Sequence, residues 1–287
     1  MTNATPTLFA VGDNCLDVYL TKGFVTVGGN ALNVAAQWQR NGADARYFGA
    51  VGADQEAALM LDVISSAGLN AGDVEVLPGD TAVTLLADDA GERRFLLESL
   101  GAGENYVPDQ QRYDDLLSAD WVHLGTHSSD VLVRRLVLDR VPFSLDVSTR
   151  PFAISLADVP LVFASGPDDA SVAVEPLIDG LKEAGARKVV VTCGKRGSFY
   201  DDGVSRFSAG SVPVSVVDTC GAGDSFIAAF ITALTFNGFS EAEALNHAAW
   251  RASETCTHLG GFPQEIQPVP GWLLEKYDTV IRAAQRV

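Results

Sequence analysis

Short apolar runs rich in β-branched residues alternate along the chain with longer segments whose apolar positions recur near helical spacing. A short apolar run that ends at glycine or a polar residue is typical of a strand buried on both faces of a sheet. Such runs predict strands at 8–13, 45–51, 120–124, 142–147, 188–192 and 212–217. The segments between them predict helices that begin near residue 30 and that span 54–67, 131–137, 224–231, 241–259 and 272–284.

Two further pairs of runs predict β-hairpins. Residues 81–87 and 93–97 flank the turn signal Asp88-Asp89-Ala90-Gly91-Glu92, and residues 198–202 and 204–208 flank Asp202-Gly203. Strands and helices otherwise alternate almost throughout. The predicted fold class is therefore α/β, with a doubly wound and mostly parallel sheet. A length of 287 residues suits a single domain over 1–287.

Composition narrows the class of protein. The chain is 47% hydrophobic and 20% charged, as expected of a globular protein, and its net charge of -17 argues against a broad nucleic-acid surface. No apolar run approaches the length of roughly 18 residues that a membrane span needs, and the first residues lack the pattern of a secretory signal. The four cysteines are widely spaced, which indicates reduced thiols and a cytoplasmic location.

The chemistry of the chain centres on the stretch Val217-Asp218-Thr219-Cys220-Gly221-Ala222-Gly223-Asp224-Ser225-Phe226. Two glycines let the backbone turn and approach a ligand closely, and an apolar helix follows them. The unpaired amides at such a helix start form an anion site, and phosphate is its usual ligand. A carboxylate at Asp224 would repel phosphate, but it could take a proton from an attacking hydroxyl. The residues alone leave this role and simple helix capping equally open.

The stretch also resembles the D-T-x-G-A-G-D signature of the ribokinase-like (pfkB-type) carbohydrate kinases, and it matches every fixed letter. The resemblance implies that the amides of Gly221, Ala222 and Gly223 form an anion hole and that Asp224 is the catalytic base. It implies ATP and Mg²⁺ as cofactors and a sugar as the acceptor. A monovalent cation near Asp218 is left open, as is a homodimer.

A second match lies near the amino terminus. Gly28-Gly29-Asn30-Ala31-Leu32-Asn33 resembles the family motif G-G-x-x-x-N, and Asp17 aligns with the acid that follows the family's first strand. The resemblance implies that Asp17, Gly28, Gly29 and Asn33, together with Asp13, bind the sugar hydroxyls. Without it, a structural role for Asn33 is equally open. The family's lid strands then correspond to about 17–27 and 81–100, and the first of these segments is shorter than in ribokinase.

The remaining expected ligand contacts also come from the resemblance. The run Thr192-Cys193-Gly194-Lys195-Arg196-Gly197 matches the family's T-x-G-x-x-G, so Thr192, Gly194 and Gly197 are expected to bind ATP together with Asp218, Gly221 and Gly223. The usual N-x-x-E magnesium motif is altered here, and Asp168 is its remaining acid, either for a water-bridged magnesium or as a helix cap. Arg150 is expected either to contact phosphate or a substrate carboxylate, or to form a surface ion pair.

Within this family the first two motifs resemble most those of the fructoselysine 6-kinases. The expected reaction is transfer of the ATP γ-phosphoryl group to a hydroxyl of fructoselysine or another fructosamine. A plain sugar such as fructose, ribose or 2-keto-3-deoxygluconate stays open as the acceptor, and so does a nucleoside. A non-catalytic sugar or nucleotide sensor is the remaining alternative, although the presence of Asp224 argues against it.

Overall fold

The computed structural model describes residues 5–89 and 92–284 and, within these ranges, leaves out the side chains of residues 88, 89, 92 and 93. The strands are β1 (Thr7–Val11), β2 (Cys15–Tyr19), β3 (Phe24–Gly28), β4 (Asp44–Phe48), β5 (Ala50–Val51), β6 (Glu75–Val76), β7 (Val83–Asp89), β8 (Glu92–Ser99), β9 (Trp121–Leu124), β10 (Phe143–Asp146), β11 (Leu161–Ser165), β12 (Val189–Thr192), β13 (Ser198–Asp201), β14 (Arg206–Ala209) and β15 (Gln267–Pro268). The α-helices are α1 (Asn30–Arg40), α2 (Gln55–Ser66), α3 (Gln110–Leu116), α4 (Asp130–Leu138), α5 (Glu175–Glu183), α6 (Ala222–Thr235), α7 (Glu241–Thr255), α8 (Gly271–Lys276) and α9 (Asp278–Ala284).

The large sheet forms the centre of the molecule. Its strand order is β14-β13-β12-β11-β10-β9-β1-β4, and the pairs from β12 to β4 are parallel, whereas β13 and β14 are antiparallel. Two clusters of buried side chains cover this sheet, and α1, α6 and α7 belong to one of them. After β1 the chain first adds β4 on one side and later β9 on the other. This reversal of direction is the place where open α/β sheets bind ligands, beyond the carboxyl ends of the strands.

A small sheet of order β15-β3-β2-β7-β8 lies beside this edge. Its strands come from distant parts of the chain, and β2 and β7 pair in parallel while the other pairs are antiparallel. The segments 17–27 and 81–100, for which a lid was predicted, fall mainly within β2, β3, β7 and β8. Their role as a lid stays a prediction. The hairpin between β7 and β8 has the predicted strands, and its turn at residues 90–91 lies outside the described residues.

Three predictions from the sequence pattern are wrong in detail. Residues 212–217 form exposed, irregular backbone, because β14 ends at Ala209 and no neighbouring strand pairs with them in the described structure. Helix α7 ends at Thr255 rather than 259. The predicted final helix is two short helices, which separate at Tyr277. The pattern also missed α3, α5, β6, β11 and β15. No helix among the described residues is long and apolar enough to cross a membrane.

Candidate active site

A cavity of about 370 Å³ lies between the carboxyl edge of the large sheet and one face of the small sheet. The large sheet contributes residues at the ends of its strands, including Asp13 after β1, Asp146 at the end of β10 and Thr192 at the end of β12. The small sheet contributes alternating positions, since Asp17, Thr84 and Glu98 are cross-strand neighbours in register and all line the cavity. Residues from several of the predicted motifs therefore face a common space.

Helix α1 begins at this cavity. Its amino-terminal residue, Asn30, follows Gly29, whose φ of 112° lies in the region that favours glycine. A Cβ at Gly29 would lie 2.7 Å from the Asp13 carbonyl oxygen. The Asp13 carboxylate accepts the amides of Asn30 at 2.7 Å and Ala31 at 3.3 Å. Asp13, predicted to bind sugar, thus lines the cavity while its two oxygens bind the first turn of α1.

Asp224 lies in the first turn of α6, and this helix begins after Gly221 in the left-handed conformation, with φ of 71°. No side chain caps α6. The Asp224 carboxylate instead accepts hydrogen bonds from two side chains of α1, with Nδ2 of Asn30 at 2.6 Å and Nδ2 of Asn33 at 2.6 Å. Both hydrogen bonds come from α1, so they are not the capping bonds to α6 that the alternative role would require. The carboxylate is held in place across the cavity by α1.

The pKa of Asp224 is raised to about 7, chiefly because the carboxylate is buried. The carboxylates of Asp146 and Asp13 also raise this pKa, whereas the hydrogen bonds from α1 lower it. Burial likewise raises the pKa of Asp146 to about 6. A carboxylate with a pKa near neutrality can exchange a proton at physiological pH, which is what general base catalysis requires.

Asn30 connects the two carboxylates. Its Nδ2 donates both to Asp224 and, at 2.8 Å, to Asp146. Its Oδ1 lies 3.3 Å from Nε2 of His123, which is fully buried and whose pKa burial lowers to about 3. The neutral imidazole therefore donates from Nε2 to Asn30. This donation fixes the orientation of the Asn30 amide, and its two N–H groups point at the two acids.

The other side of the His123 ring completes this chain of hydrogen bonds. Nδ1 of His123 lies 2.9 Å from Oγ of Ser144, which accepts Nε1–H of Trp121 at 3.0 Å. Because indole can only donate, the Ser144 hydroxyl has its own proton available for His123. Each hydrogen bond in the series from Trp121 to the two carboxylates thus has a defined donor and a defined acceptor.

The residues of the predicted sugar motif come together. A Cβ at Gly28 would lie 3.3 Å from Oδ1 of Asn33 and 3.6 Å from Oδ2 of Asp17, so both side chains flank this glycine. The Oδ1 atom of Asn33 is buried and has no hydrogen-bond partner among the described residues. Asp17, Gly29 and Asn33 line the cavity, whereas Gly28 lies just behind it. Carboxylate and amide groups of this kind can each bind neighbouring hydroxyls.

The predicted anion site contains closely packed backbone. A Cβ at Gly221 would clash with Cα of Gly261, so only glycine fits here. Gly221 and Gly223 line the cavity, and a Cβ at Gly223 would meet open space. Ala222 does not line the cavity, and its amide lies 3.3 Å from the Thr219 carbonyl.

Asp218 is buried behind the cavity and connects two loops. Its carboxylate accepts the amide of Cys220 at 3.1 Å and that of Gly260 at 3.1 Å. These contacts tie the loop that precedes α6 to the loop that follows α7. Asp218 therefore supports the backbone of the predicted anion site, and it does not line the cavity.

Most of the other residues predicted to bind nucleotide, metal or phosphate do not line the cavity. Thr192 lines the cavity, whereas Gly194 and Gly197 do not, and both glycines have positive φ values of 49° and 95°. Asp168 is exposed, and its carboxylate occupies the space that a Cβ of Gly194 would need. Arg150 is exposed and lies 3.1 Å from Nδ1 of His127, which lines the cavity. Arg150 thus reaches the cavity rim through His127.

Magnesium prefers oxygen ligands and usually keeps several waters beside one or two carboxylates and substrate phosphates. Asp168 offers such an oxygen next to the predicted phosphate loop. Among the described residues no group of three or more His, Cys, Asp or Glu side chains could hold a metal ion by itself. A single carboxylate such as Asp168 fits a magnesium ion that is held mainly by water and phosphate.

Sequence reasoning assigned no role to Asn30, Asp146 or Asn14, all of which line the cavity. Asn30 and Asn14 are polar residues next to buried elements. Buried polar groups need hydrogen-bond partners, and this argument, which drew attention to Asn33, applies to Asn30 and Asn14 equally. Asp146 closes the apolar strand β10 and is 3% exposed, which is unusual for an acid. Asn30 donates to Asp146, and Asn14 donates to Tyr47 and Ala50, so these hydrogen bonds join distant segments and leave no local pattern in the sequence.

Comparison with known proteins identifies the family. Residues 14–138 and 161–265 match the model of the pfkB family carbohydrate kinases. The fructosamine kinase FrlD of Bacillus subtilis (strain 168) is 32% identical over 263 residues, which cover 89% of this chain and 92% of that relative. The fructoselysine 6-kinase of Escherichia coli (strain K12) is 28% identical over 264 residues, which cover 89% and 99% of the two chains. The solved Arabidopsis thaliana ribokinase, complexed with ribose and ATP, has a TM-score of 0.80 at 22% identity and covers 91% of this chain and 96% of its own.

The chain belongs to the pfkB family of carbohydrate kinases. The predictions of a ribokinase-like fold and of an ATP-dependent carbohydrate kinase are thereby confirmed. A sugar and ATP are its small-molecule substrates, and a divalent metal ion accompanies the nucleotide.

Proposed function

We propose that this kinase transfers the γ-phosphoryl group of ATP to a hydroxyl of a fructosamine, a sugar that carries a substituted amine, with fructoselysine as the leading candidate. Two of the relatives named above are a fructosamine kinase and a fructoselysine 6-kinase, and this chain covers 92% and 99% of their lengths. Identities of 32% and 28% to these two relatives support the acceptor class. The charge of the cavity supplies an independent argument.

The observation that carries the proposal is the acidic lining of the cavity. Six carboxylates line it, and the described lining residues include neither Lys nor Arg. The six are Asp13, Asp17, Glu98, Glu104, Asp146 and Asp224. A unit charge 4 Å from a carboxylate gains about 4 kcal/mol at an effective dielectric constant of ~20. The lining therefore favours an acceptor with an ammonium group over a neutral sugar.

Asp224 is proposed as the general base. Its carboxylate is oriented by Asn30 and Asn33, and its pKa of about 7 suits proton transfer at neutral pH. As the acceptor hydroxyl attacks the γ-phosphorus, Asp224 takes the hydroxyl proton, the new O–P bond forms and the bond to the ADP oxygen breaks. The proton later leaves Asp224 to solvent, and a pKa near neutrality makes this return fast.

The other proposed roles follow the position of each residue around the cavity. Asp17, Asn33 and the glycine pair would hold the sugar, and Asp13 would keep the start of α1 in place beside it. The amides of Gly221 and Gly223, with Ala222 next to them, would stabilise negative charge on the phosphoryl oxygens. Thr192, Gly194, Gly197 and Asp218 would shape the nucleotide site. The segments 17–27 and 81–100 would act as a lid that excludes water, a competing acceptor.

Magnesium would neutralise phosphate charge, and Asp168 would hold it through water. Arg150, next to His127, is proposed to meet an anionic group of a ligand at the rim. We also propose a monovalent cation near Asp218, where two loop backbones converge, and leave a homodimer as a prediction. A cytoplasmic location stays a prediction from the cysteine spacing.

The experiment is a measurement of ADP formation against a panel of acceptors. The panel contains fructoselysine, other fructosamines, fructose, ribose, 2-keto-3-deoxygluconate and nucleosides. We expect kcat/KM for a fructosamine to exceed that for fructose by more than tenfold, roughly what one partly screened charge contact supplies. A preference for a plain sugar or a nucleoside would reject the fructosamine, and no turnover with any member would favour an acceptor outside the panel.

Asp224→Asn tests the base assignment. We expect kcat with the preferred acceptor to fall by roughly 10²-fold to 10⁴-fold, the usual contribution of a general base, with little change in the affinity for ATP. Near-normal turnover in this variant would contradict the role of Asp224.

A further inference from the structure

Asn14 follows β1 and is buried beside the glycine pair that precedes α1. Its Nδ2 donates to the Tyr47 hydroxyl at 2.9 Å and to the Ala50 carbonyl at 2.9 Å. A carbonyl can only accept, and the Tyr47 hydroxyl gives its own proton to the Gly12 carbonyl at 2.9 Å. These partners fix which end of the Asn14 amide is nitrogen and which is oxygen.

The Oδ1 atom of Asn14 is buried and has no hydrogen-bond partner among the described residues. Asn14 lines the cavity, whereas Tyr47 and Ala50, which hold its nitrogen, do not. The protein thus holds the nitrogen end of the amide behind the cavity, and the oxygen end has no partner among the described residues. An unpaired buried acceptor is unfavourable by about 1–3 kcal/mol, so a ligand that donates a hydrogen bond here removes that cost.

Glu104 offers a second acceptor in the lining of the same cavity. The loop at residues 101–103 packs on the carbonyl that holds the Asn14 nitrogen, since a Cβ at Gly103 would lie 3.2 Å from the Ala50 oxygen. The next residue, Glu104, is exposed and lines the cavity. Its carboxylate forms no ion pair with the described residues. The cavity lining therefore offers a fixed neutral acceptor at Asn14 and, at Glu104, a carboxylate without an ion-pair partner among the described residues.

We propose that Asn14 Oδ1 and the Glu104 carboxylate form a subsite for the ammonium group of the acceptor, a proposal that rests on the fructosamine function proposed above. A secondary ammonium has two N–H donors and no acceptor, so it can satisfy both oxygens. A sugar hydroxyl would satisfy Asn14 but would leave the charge of Glu104 uncompensated. The subsite adjoins Gly29, so the amine would bind next to the predicted sugar site.

The test compares two acceptors that differ only in this group. They are fructoselysine and its ether analogue, in which oxygen replaces the amine nitrogen. For each variant, kcat/KM is measured with both, and the amine-to-ether ratio is the readout. Partial loss of folded protein lowers both values equally and leaves the ratio unchanged. Glu104→Gln and Asn14→Leu should each lower the ratio by about tenfold, as expected when a charge-assisted hydrogen bond is lost.

Glu104 is exposed, so Glu104→Gln carries the test even if Asn14→Leu does not fold. Glu98→Gln is the matched control, because it removes the same charge from another wall of the cavity. Tyr47→Phe removes one partner of the Asn14 nitrogen and leaves the Asn14 oxygen intact. Both controls should change the ratio by less than about twofold, because an exposed charge away from the amine contributes little and Tyr47→Phe leaves the Asn14 oxygen in place.

Several outcomes would overturn the subsite. Equal effects of Glu104→Gln and Glu98→Gln would mean that only the general charge of the cavity matters. An unchanged ratio in Asn14→Leu, with both values lowered, would assign Asn14 to the shared sugar. A wild type that uses both acceptors equally would reject the subsite while keeping the sugar site. A wild type that uses neither, but phosphorylates another sugar, would reject the proposed function itself.

Discussion

Replacement of Asn30 by alanine tests how the two buried acids are coupled. Asn30 Nδ2 donates to Asp224 at 2.6 Å and to Asp146 at 2.8 Å, so Asn30→Ala removes both hydrogen bonds at once. The helix should persist, because alanine favours helices and the residue 30 amide still binds Asp13. Both hydrogen bonds stabilise the ionised carboxylates. Their loss should therefore raise the pKa of Asp224 above its value of about 7.

The magnitude follows from the bond that is lost. A hydrogen bond to a charged group is worth about 1.5–3 kcal/mol, and the part that acts on Asp224 corresponds to about one pKa unit. A base must be deprotonated to act, so activity falls as pH drops through its pKa. A midpoint that moves from about 7 to about 8 lowers the ionised fraction at pH 7 from one half to about one tenth. The loss at pH 7 is then about fivefold, and it is recovered near pH 9.

The assay is kcat/KM for the acceptor against pH at saturating ATP and magnesium, because this ratio reports groups of the free enzyme. Asn246→Ala is the control, since Asn246 is exposed on α7 and its side chain donates to the Ala242 carbonyl of the same helix. The control should keep the wild-type midpoint. A uniform loss at every pH in Asn30→Ala would refute the bridging role, and it would assign Asn30 to sugar contact alone.

Three other substitutions address separate parts of the site. Asp17→Ala should raise KM for the sugar by roughly tenfold to a hundredfold, the effect of a lost charged hydrogen bond. The change in kcat should be smaller. An unchanged KM in steady-state kinetics would contradict the sugar-binding role. Gly221→Ala should lower Tm by several degrees, because a left-handed non-glycine residue costs about 1–2 kcal/mol and its Cβ would clash with Gly261. Gly223→Ala is the control in the same calorimetric scan. It should keep the wild-type Tm, because a Cβ at residue 223 meets open space. Asp168→Asn should raise the magnesium concentration for half-maximal rate, and an identical magnesium titration would exclude Asp168 from metal binding.

The fold could be predicted largely from local pattern, since buried parallel strands and amphipathic helices have distinct spacings. The errors arose where tertiary pairing decides the structure. Residues 212–217 carry valine at alternate positions, which fits a strand, but Pro213 lies among them and the described structure gives them no pairing strand. β15 is only two residues long and exists because β3 has a free edge. Neither fact is visible in a local window of sequence.

The candidate site was predictable only in part, because its contacts also depend on how distant segments pack together. The family resemblance identified Asp224 and Asn33 through two separate motifs, which lie 191 residues apart. Their direct hydrogen bond could not be read from either motif. Asn30 and His123 form part of a path that depends on the register of β1, β9 and β10. Such contacts follow from the assembled sheet, and pattern reasoning has no access to them.

The close stacking of Gly221, Gly261 and Asn33 has a consequence for how the protein folds. A Cβ on either glycine would clash with the next member of this stack, so the three segments fit together only in the assembled core. They are far apart in the chain, and contacts that close long loops form slowly. We therefore expect catalytic activity to recover later than helical circular dichroism during refolding. Ligands that bind the completed cavity should then slow the unfolding of the whole chain, because they bind only after its distant segments have met.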